Sequence, residues 1–454
     1  MAGDLGPATD QYGRPTATLP FIQLVRLSLY WFGLSSIFSG LGGVILPGRL
    51  EFEHLVPPGE EGRALFLMTI GGTVIAMLVQ PTIGSISDYT VTRWGRRKPY
   101  ILVGSVLDVV FLYAIAESNT LLGIAVFVAL LQLSSNLAQG PFQGYVPDLV
   151  PGHQVGTASA LVGIMQVLGN VGGFVVGSIG LIVGNLFLAT IALGVIELLT
   201  MLSVFLWVDE GTVAKPRGGR SWRSVAMEAW GRDVLAERSY IWLVFSRLFV
   251  LMGGAMLVDL AVFYLGRSLG YTREETGFWY IVTAGCVAVA SVIATVPAAR
   301  LSDRIGRKRV IYASCVLGVT GLMTVALAPH VIIALIGVVL YGVSAGMFLS
   351  VDWALMTDII PKASSGRYMG LSNVATAASG IFAIAIGGVV MDVVGGIERG
   401  GSGPRAAFVV GAGLLAFGAL LLRPVDPRRR EDPPGALAAT APTLPQDSAD
   451  TVPA

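Results

Sequence analysis

Long apolar runs broken by short polar interruptions recur twelve times between residues 20 and 423. About twenty residues of helix, rising about 1.5 Å each, cross the ~30 Å hydrocarbon core of a bilayer. The runs therefore predict membrane-spanning helices at 20–46, 63–87, 99–116, 120–145, 155–183, 186–208, 240–267, 276–300, 308–328, 330–357, 368–394 and 404–423. The longest polar interruption among them, residues 209–239, falls between the sixth and seventh runs and divides the chain in two. The expected organisation is a segment 1–19, a six-helix bundle 20–208, a linker 209–239, a second six-helix bundle 240–423 and a tail 424–454. Pro433, Pro434, Pro442 and Pro445 among Ala and Asp predict disorder in that tail.

Composition agrees with this pattern. Of 454 residues 54% are hydrophobic and 13% charged, and the mean hydropathy of +0.72 excludes an ordinary soluble domain of this length. Residues 1–19 lack the charged-then-apolar order of a cleaved signal peptide, so the first run reads as a retained span. The net charge of +1 gives no basis for nucleic-acid binding. Its distribution says more. The loops expected on one side, with Arg14 and the tail, hold 22 Lys and Arg, and the opposite side holds six. By the positive-inside rule both termini are then cytoplasmic, in a multi-pass protein of the plasma membrane, or of the inner membrane of a bacterium. Cys286 and Cys315 lie in apolar runs and suggest neither a disulfide nor a metal site. No P-loop, no nucleophile-and-base set and no metal-ligand cluster appears, so neither an enzyme nor a cofactor is expected.

Within the fourth run, "LQLSSNLAQGPFQGYVPDLVP" places Gln132, Asn136, Gln139 and Gln143 at i, i+4, i+7 and i+11, one narrow stripe of a helix. Facing lipid, four amides would each go without partners at a cost of about 1 kcal/mol or more, so the stripe must face protein or a water-filled cavity. Ser159, Gly163, Gln166 and Asn170 repeat the spacing in the fifth run. Such neutral amides suit a polyhydroxylated or otherwise uncharged solute, or they bond neighbouring helices. Gly169, Gly173 and Gly177, four apart, read as a close-packing face.

The two halves share features in the same order. Arg26 and Gly33 recur as Arg247 and Gly254 at an offset of 221, and Asp148, Pro151 and Gly156 recur as Asp358, Pro361 and Gly366 at 210. "SISDYTVTRWGRRK" after the second run corresponds to "ARLSDRIGRKR" after the eighth, Asp88 to Asp303 and Gly95 to Gly306. Two pseudosymmetric six-helix bundles in parallel repeat follow: an all-α membrane protein with twelve transmembrane helices.

Twelve spans, a central loop and this duplicated Asp…Gly-Arg-Lys loop resemble the major facilitator superfamily of secondary transporters over nearly the whole chain. The longer first copy, ending Gly-Arg-Arg-Lys-Pro, together with "NLAQGPFQGYVPDL", is similar to the glycoside–pentoside–hexuronide cation symporters and the sucrose transporters. Gln132 stands where that sucrose-transporter pattern has an acid associated with proton coupling, and Gln143 where it has an Arg. The resemblance implies alternating access to a site near mid-membrane, with helices one, four, seven and ten around a central cavity. It also implies gating loops formed by Gly84, Asp88, Gly95, Arg96, Arg97 and Asp148, and by Asp303, Gly306, Arg307 and Asp358. When the cytoplasmic side is closed, Asp88 would meet the start of helix eleven and Asp303 the start of helix five near Gly156 and Thr157.

Charged groups inside spans are functional hypotheses. Asp108 and Glu197 fall mid-span on helices three and six, as a buried pair or as coupling groups. Arg26 and Arg247 enter helices one and seven by a turn or two, within snorkelling reach of the surface. Asp259 and Asp352 fall on helices seven and ten, and Trp353 offers a flat face for a sugar ring or an interfacial anchor. The expected activity is a monomeric secondary transporter of a small polar solute, a sugar or glycoside, with a proton or sodium ion. The alternatives are an exporter of amphiphilic compounds, or a transporter-shaped assembly factor or receptor.

Overall fold

The computed structural model describes residues 16–87, 89–90, 92–210, 238–359, 365–395 and 401–426. Asp88, residues 1–15 of the N-terminal segment, most of the 209–239 linker, the side chains at the start of the eleventh span and the tail beyond 426 lie outside the described residues. Among the described residues twelve helices are long and apolar enough to cross a membrane. In the first half they are α1 (Phe21–Phe52), α2 (Glu61–Ser87), α3 (Lys98–Glu117), α4 (Leu121–Gln143), α5 (Val155–Val183) and α6 (Leu186–Trp207). The second half holds α7 (Arg238–Asp259), α8 (Arg273–Ile305), α9 (Arg307–Leu327), α10 (Val331–Ile359), α11 (Ser365–Gly395) and α12 (Ser402–Leu421).

Local chemistry sets the boundaries. The hydroxyl of Thr120 accepts from Gly123 N–H at 3.1 Å to open α4, and the side-chain Oδ1 of Asn185 accepts from Leu188 N–H at 2.9 Å to open α6. A reciprocal Thr272–Glu275 capping box starts α8 ahead of the expected 276. Gly306, at φ +96°, ends α8 and starts α9, a conformation that favours glycine. The π-turn Leu41–Ile45 carries α1 beyond the expected 46. There Arg49, counted in the sequence as a loop cation, is buried within the helix, and its guanidinium donates to the Ile115 and Ser118 carbonyls at 2.8 and 2.9 Å. Those carbonyls end α3, where a cation is favoured. A second π-turn, Tyr264–Ser268, follows α7 after a break at Leu260, so the interruption recurs in both halves.

Gly169, Gly173 and Gly177 are buried against α1, as their spacing predicts. The Ser36 and Ser39 hydroxyls donate to the Gly169 and Asn170 carbonyls, both at 3.0 Å. A side chain at Gly173 would lie 2.8 Å from the Gly40 backbone nitrogen. The bundles meet through α5 against α8 and α2 against α11, and their closest approaches lie at one end, here called the far end, opposite Leu19 and Val425. There Gly62 abuts Gly388, and Gly277 packs on Ser178, Leu181 and Ile182.

Overpacking at such an approach typically costs about 1–3 kcal/mol. Gly173→Leu is expected to lower the thermal unfolding temperature of purified protein, whereas Gly163→Ala, with nothing within 4 Å of an added Cβ, leaves it near that of the parent.

Candidate functional site

A cavity of about 540 Å³ lies between the bundles, walled by α1 and α5 on one side and α7, α8 and α10 on the other. Most of its lining is hydrocarbon. Its polar groups are Ser39, Asn170, Thr283, Ser291 and the hydroxyls of Tyr264, Tyr280 and Tyr341. Asn170 is the one amide of the two sequence stripes in this lining. The Tyr280 hydroxyl donates to the Val258 carbonyl at 3.3 Å, and Asp259 beside it ends α7 at the break, within electrostatic reach of Tyr280 and Tyr341.

The α4 amides sit elsewhere. Asn136 is buried, and its Nδ2 donates to the Gln132 carbonyl at 2.8 Å and to Gln132 Oε1 at 3.2 Å. Gln132 lies against Gly72 of α2, whose missing side chain leaves it room. Gln139 and, on α5, Gln166 are half-buried, and Gln143 is exposed at the end of α4.

The intramembrane charges separate into three environments. In the second bundle Arg247 does not reach for the surface: its Nη1 pairs with Asp352 and its Nε donates to the Thr376 hydroxyl at 3.2 Å. Its guanidinium lies 5.2 Å from the centroid of the partly exposed Trp353. In the first bundle Arg26 is half-buried at the near end, with its guanidinium 4.9 Å from the Trp207 ring centroid. Asp108 and Glu197 are fully buried between α3 and α6, with hydroxyls from α1, α3 and α4 around them.

At the near end each bundle holds its own basic loop. Gly95, at φ +116°, lets the loop turn against the Glu210 carboxylate, which accepts from the backbone N–H of Arg97 and Lys98 at 3.0 and 2.9 Å. Arg96 and Arg97 both reach Asp148, at 2.6 and 2.8 Å, while Gly84 packs on Gly140 of α4. The second copy matches: Arg307 reaches Asp358 at 3.3 Å and Asp303 at 2.6 Å. Asp303 is 62% exposed, so in this conformation it is turned to Arg307 and not buried against α5.

Across the far end the bundles are joined by charge. Asp392 of α11 accepts from Gly62 and Arg63 N–H, both at 2.9 Å, and so caps α2 from the opposite bundle. Arg267 bridges Glu51 at 2.6 Å and Glu61 at 3.3 Å, and Arg273 approaches Glu53 at 3.8 Å. Sequence reasoning missed these groups because their partners lie hundreds of residues away. The one available signal was Arg267, a cation beside a span whose mirror region already held Arg49.

With this geometry in view, the Major Facilitator Superfamily family model matches residues 243–449. The sucrose transport protein SUT1 of Oryza sativa subsp. japonica is 32% identical over 171 residues, covering 31% of this chain and 32% of that relative, so the chain matches about a third of the relative's length. A D-xylose-proton symporter structure superposes with a TM-score of 0.68 at 15% identity, over 89% of this chain and 98% of its own. A bacterial homolog of the human lysosomal transporter Spinster, inward-facing and unoccupied, gives 0.70 at 13% identity, over 88% of this chain and 95% of that one. At such identities the superpositions establish the fold.

Breaking the buried pair by Asp352→Leu leaves Arg247 charged in a closed site, which typically costs about 3–5 kcal/mol. The expected result is a large fall in unfolding temperature, most of it recovered when Arg247→Met is added.

Proposed function

We propose that this chain, which belongs to the Major Facilitator Superfamily by the match to its C-terminal half and by the fold of both halves, is a secondary transporter of a small neutral solute, a sugar or glycoside, working by alternating access. The observation that carries this reading is the cavity between the two bundles, closed at the far end by contacts that join opposite halves. Rocking the halves apart there would break Asp392 from α2 and Arg267 from Glu51 and Glu61. The same motion would bring the near-end loops of the two halves together. With the basic loops of the near end in the cytoplasm by the positive-inside rule, the present conformation is inward-facing.

The solute would lie between Asn170 and Ser39 on one wall and Thr283 and Tyr341 on the other. The hydroxyls and the single amide can hold solute hydroxyls, and Phe174 and Tyr280 offer flat faces. Similarity to sucrose transport proteins supports a sugar. The largely hydrocarbon lining favours a second reading, export of an amphiphilic compound, whose apolar part would fill the cavity.

A thermal-shift series on purified protein separates the two, because only a compound that binds the folded state stabilises it. Stabilisation by sucrose or maltose, abolished by Asn170→Leu, is the expected result; stabilisation by amphiphilic cations alone would replace the sugar reading with export. Asn136→Leu, in contrast, is expected to cost about 1 kcal/mol of stability without ligand and to spare ligand binding, since its amide bonds Gln132.

Orientation has its own check. Reporters fused after Gly59 and Gly401 are expected to read outside, and those after Pro216 and Pro427 inside; a cytoplasmic Gly59 would reverse the scheme.

A further inference from the structure

Deep in the first bundle, away from the cavity lining, two acids share one site. Asp108 of α3 accepts from Ser134 Oγ and, at 2.7 Å, from Ser135 Oγ, both on α4. Glu197 of α6 accepts at Oε1 from the Tyr30 hydroxyl of α1 at 3.0 Å, and that hydroxyl also shares a 2.6 Å hydrogen bond with Ser105. All six side chains are fully buried. The second carboxyl oxygen of Glu197, also buried, has no donor, and the Tyr30 hydroxyl that bonds Glu197 also bonds Ser105, one turn before Asp108 on α3, so the two acids share one buried polar site. The ionisable groups facing the pair are Tyr30 from α1 and the acids themselves from α3 and α6. α4 contributes only serines, and among the described residues no Lys, Arg or His pairs with either carboxyl.

Two bare carboxylates in one buried site would place two negative charges in hydrocarbon-like surroundings, at a cost of several kcal/mol each. A single proton removes both difficulties. It forms one O–H bond on a carboxyl oxygen, supplies the donor that Glu197 Oε2 lacks, and leaves one shared negative charge bonded by the tyrosine and serine hydroxyls. The second bundle meets the same constraint with an arginine, Arg247 against Asp352.

We infer that Asp108 and Glu197 form a proton-binding site inside the first bundle, and that proton exchange there is coupled to movement of α1. Tyr30 is the link. It touches Glu197, and about two turns further along the same helix Phe38 and Ser39 line the cavity. α1 passes α6 closely at this level, since a Cβ on Gly33 would lie 2.9 Å from the Glu197 Cα. A tilt of α1 would alter the Tyr30–Glu197 hydrogen bond and with it the affinity for the proton, which is released to water as H⁺ with no other bond changed. The coupling role rests on the transport reading above; the proton site itself does not.

Infrared spectroscopy of the purified full-length protein, titrated with pH, reads the site without any solute. The parent is expected to show the carbonyl stretch of a protonated carboxyl at neutral pH, weakened or lost in Asp108→Asn and in Glu197→Gln. Tyr30→Phe, which removes one hydroxyl and is the mildest change should the others not fold, is expected to shift the pH midpoint of that band. In proteoliposomes given radiolabelled sucrose and an inward proton gradient, the parent is expected to accumulate sucrose. Glu197→Gln should fall to the equilibrium level, with any remaining uptake no longer varying with pH. If sucrose is not moved but the infrared results hold, the sugar reading fails and the proton site stands. A band unchanged by both acid substitutions, or pH-driven accumulation that survives them, would overturn the inference. So would stabilisation by sodium chloride over choline chloride that disappears in Glu197→Gln, which would make the site one for sodium.

Discussion

Within hydrocarbon a polar side chain can bond only to protein, and the placement of four buried polar groups among the described residues follows from that constraint. Arg247 has Asp352, Arg49 has the carbonyls that end α3, Asp392 has the N–H groups that begin α2, and Asn136 has Gln132. The first three of these bonds fix one helix against another or close a helix end, and the fourth lies within α4. The apolar surface does the opposite: it lies equally well against lipid or protein and specifies little. Glycine supplies the remaining specificity, letting α1 and α5 come close enough for Ser36 and Ser39 to reach the α5 backbone.

On the transport reading proposed above, the same constraint would make closure of the far end reversible. Asp392 on the α2 N-terminus is a charge-assisted contact at a helix end, a type worth up to about 2 kcal/mol when partly buried. A bond of that size closes one end of the molecule without locking it. Arg267, shared between Glu51 and Glu61, adds a second bond of the same kind. At the near end, by contrast, the arginines of the duplicated loops are held by Asp148 and Asp358 of their own bundles. Charges that travel with their bundle do not oppose separation of the halves. Among the described residues, the asymmetry between cross-bundle contacts at one end and within-bundle contacts at the other is therefore the physical content of the conformation.

Much of this was legible in the sequence because it depends on local pattern. Twelve spans follow from apolar length, and the duplicated Gly-Arg elements at matching offsets give two halves. The four-residue glycine spacing on α5 gives the α1 contact. The α4 stripe was legible as inward-facing, but periodicity cannot tell a cavity from a neighbouring helix, and the room for Gln132 comes from Gly72, sixty residues away. The π-turns in α1 and after α7 leave no periodic signature, and for that reason α1 was read as ending six residues early. Asp392, Glu51 and Glu61 look like ordinary loop-side acids until the fold sets α2 against α11 and brings Arg267 to α1.

The division of labour between the bundles follows from where charge is tolerated. The cavity walls carry hydroxyls and one amide, and its charged neighbour, Asp259, stands at a helix break where backbone groups are also freed. The charged residues deepest in the bundles lie off that lining, compensated by arginine in the second bundle and left as two acids in the first. The cavity lining therefore carries no charged side chain that a bound molecule would have to desolvate. A proton bound at the acids would act on the solute through the position of a helix and not by contact. Tyr30 and Ser39 on one α1 would give that mechanical link a definite path.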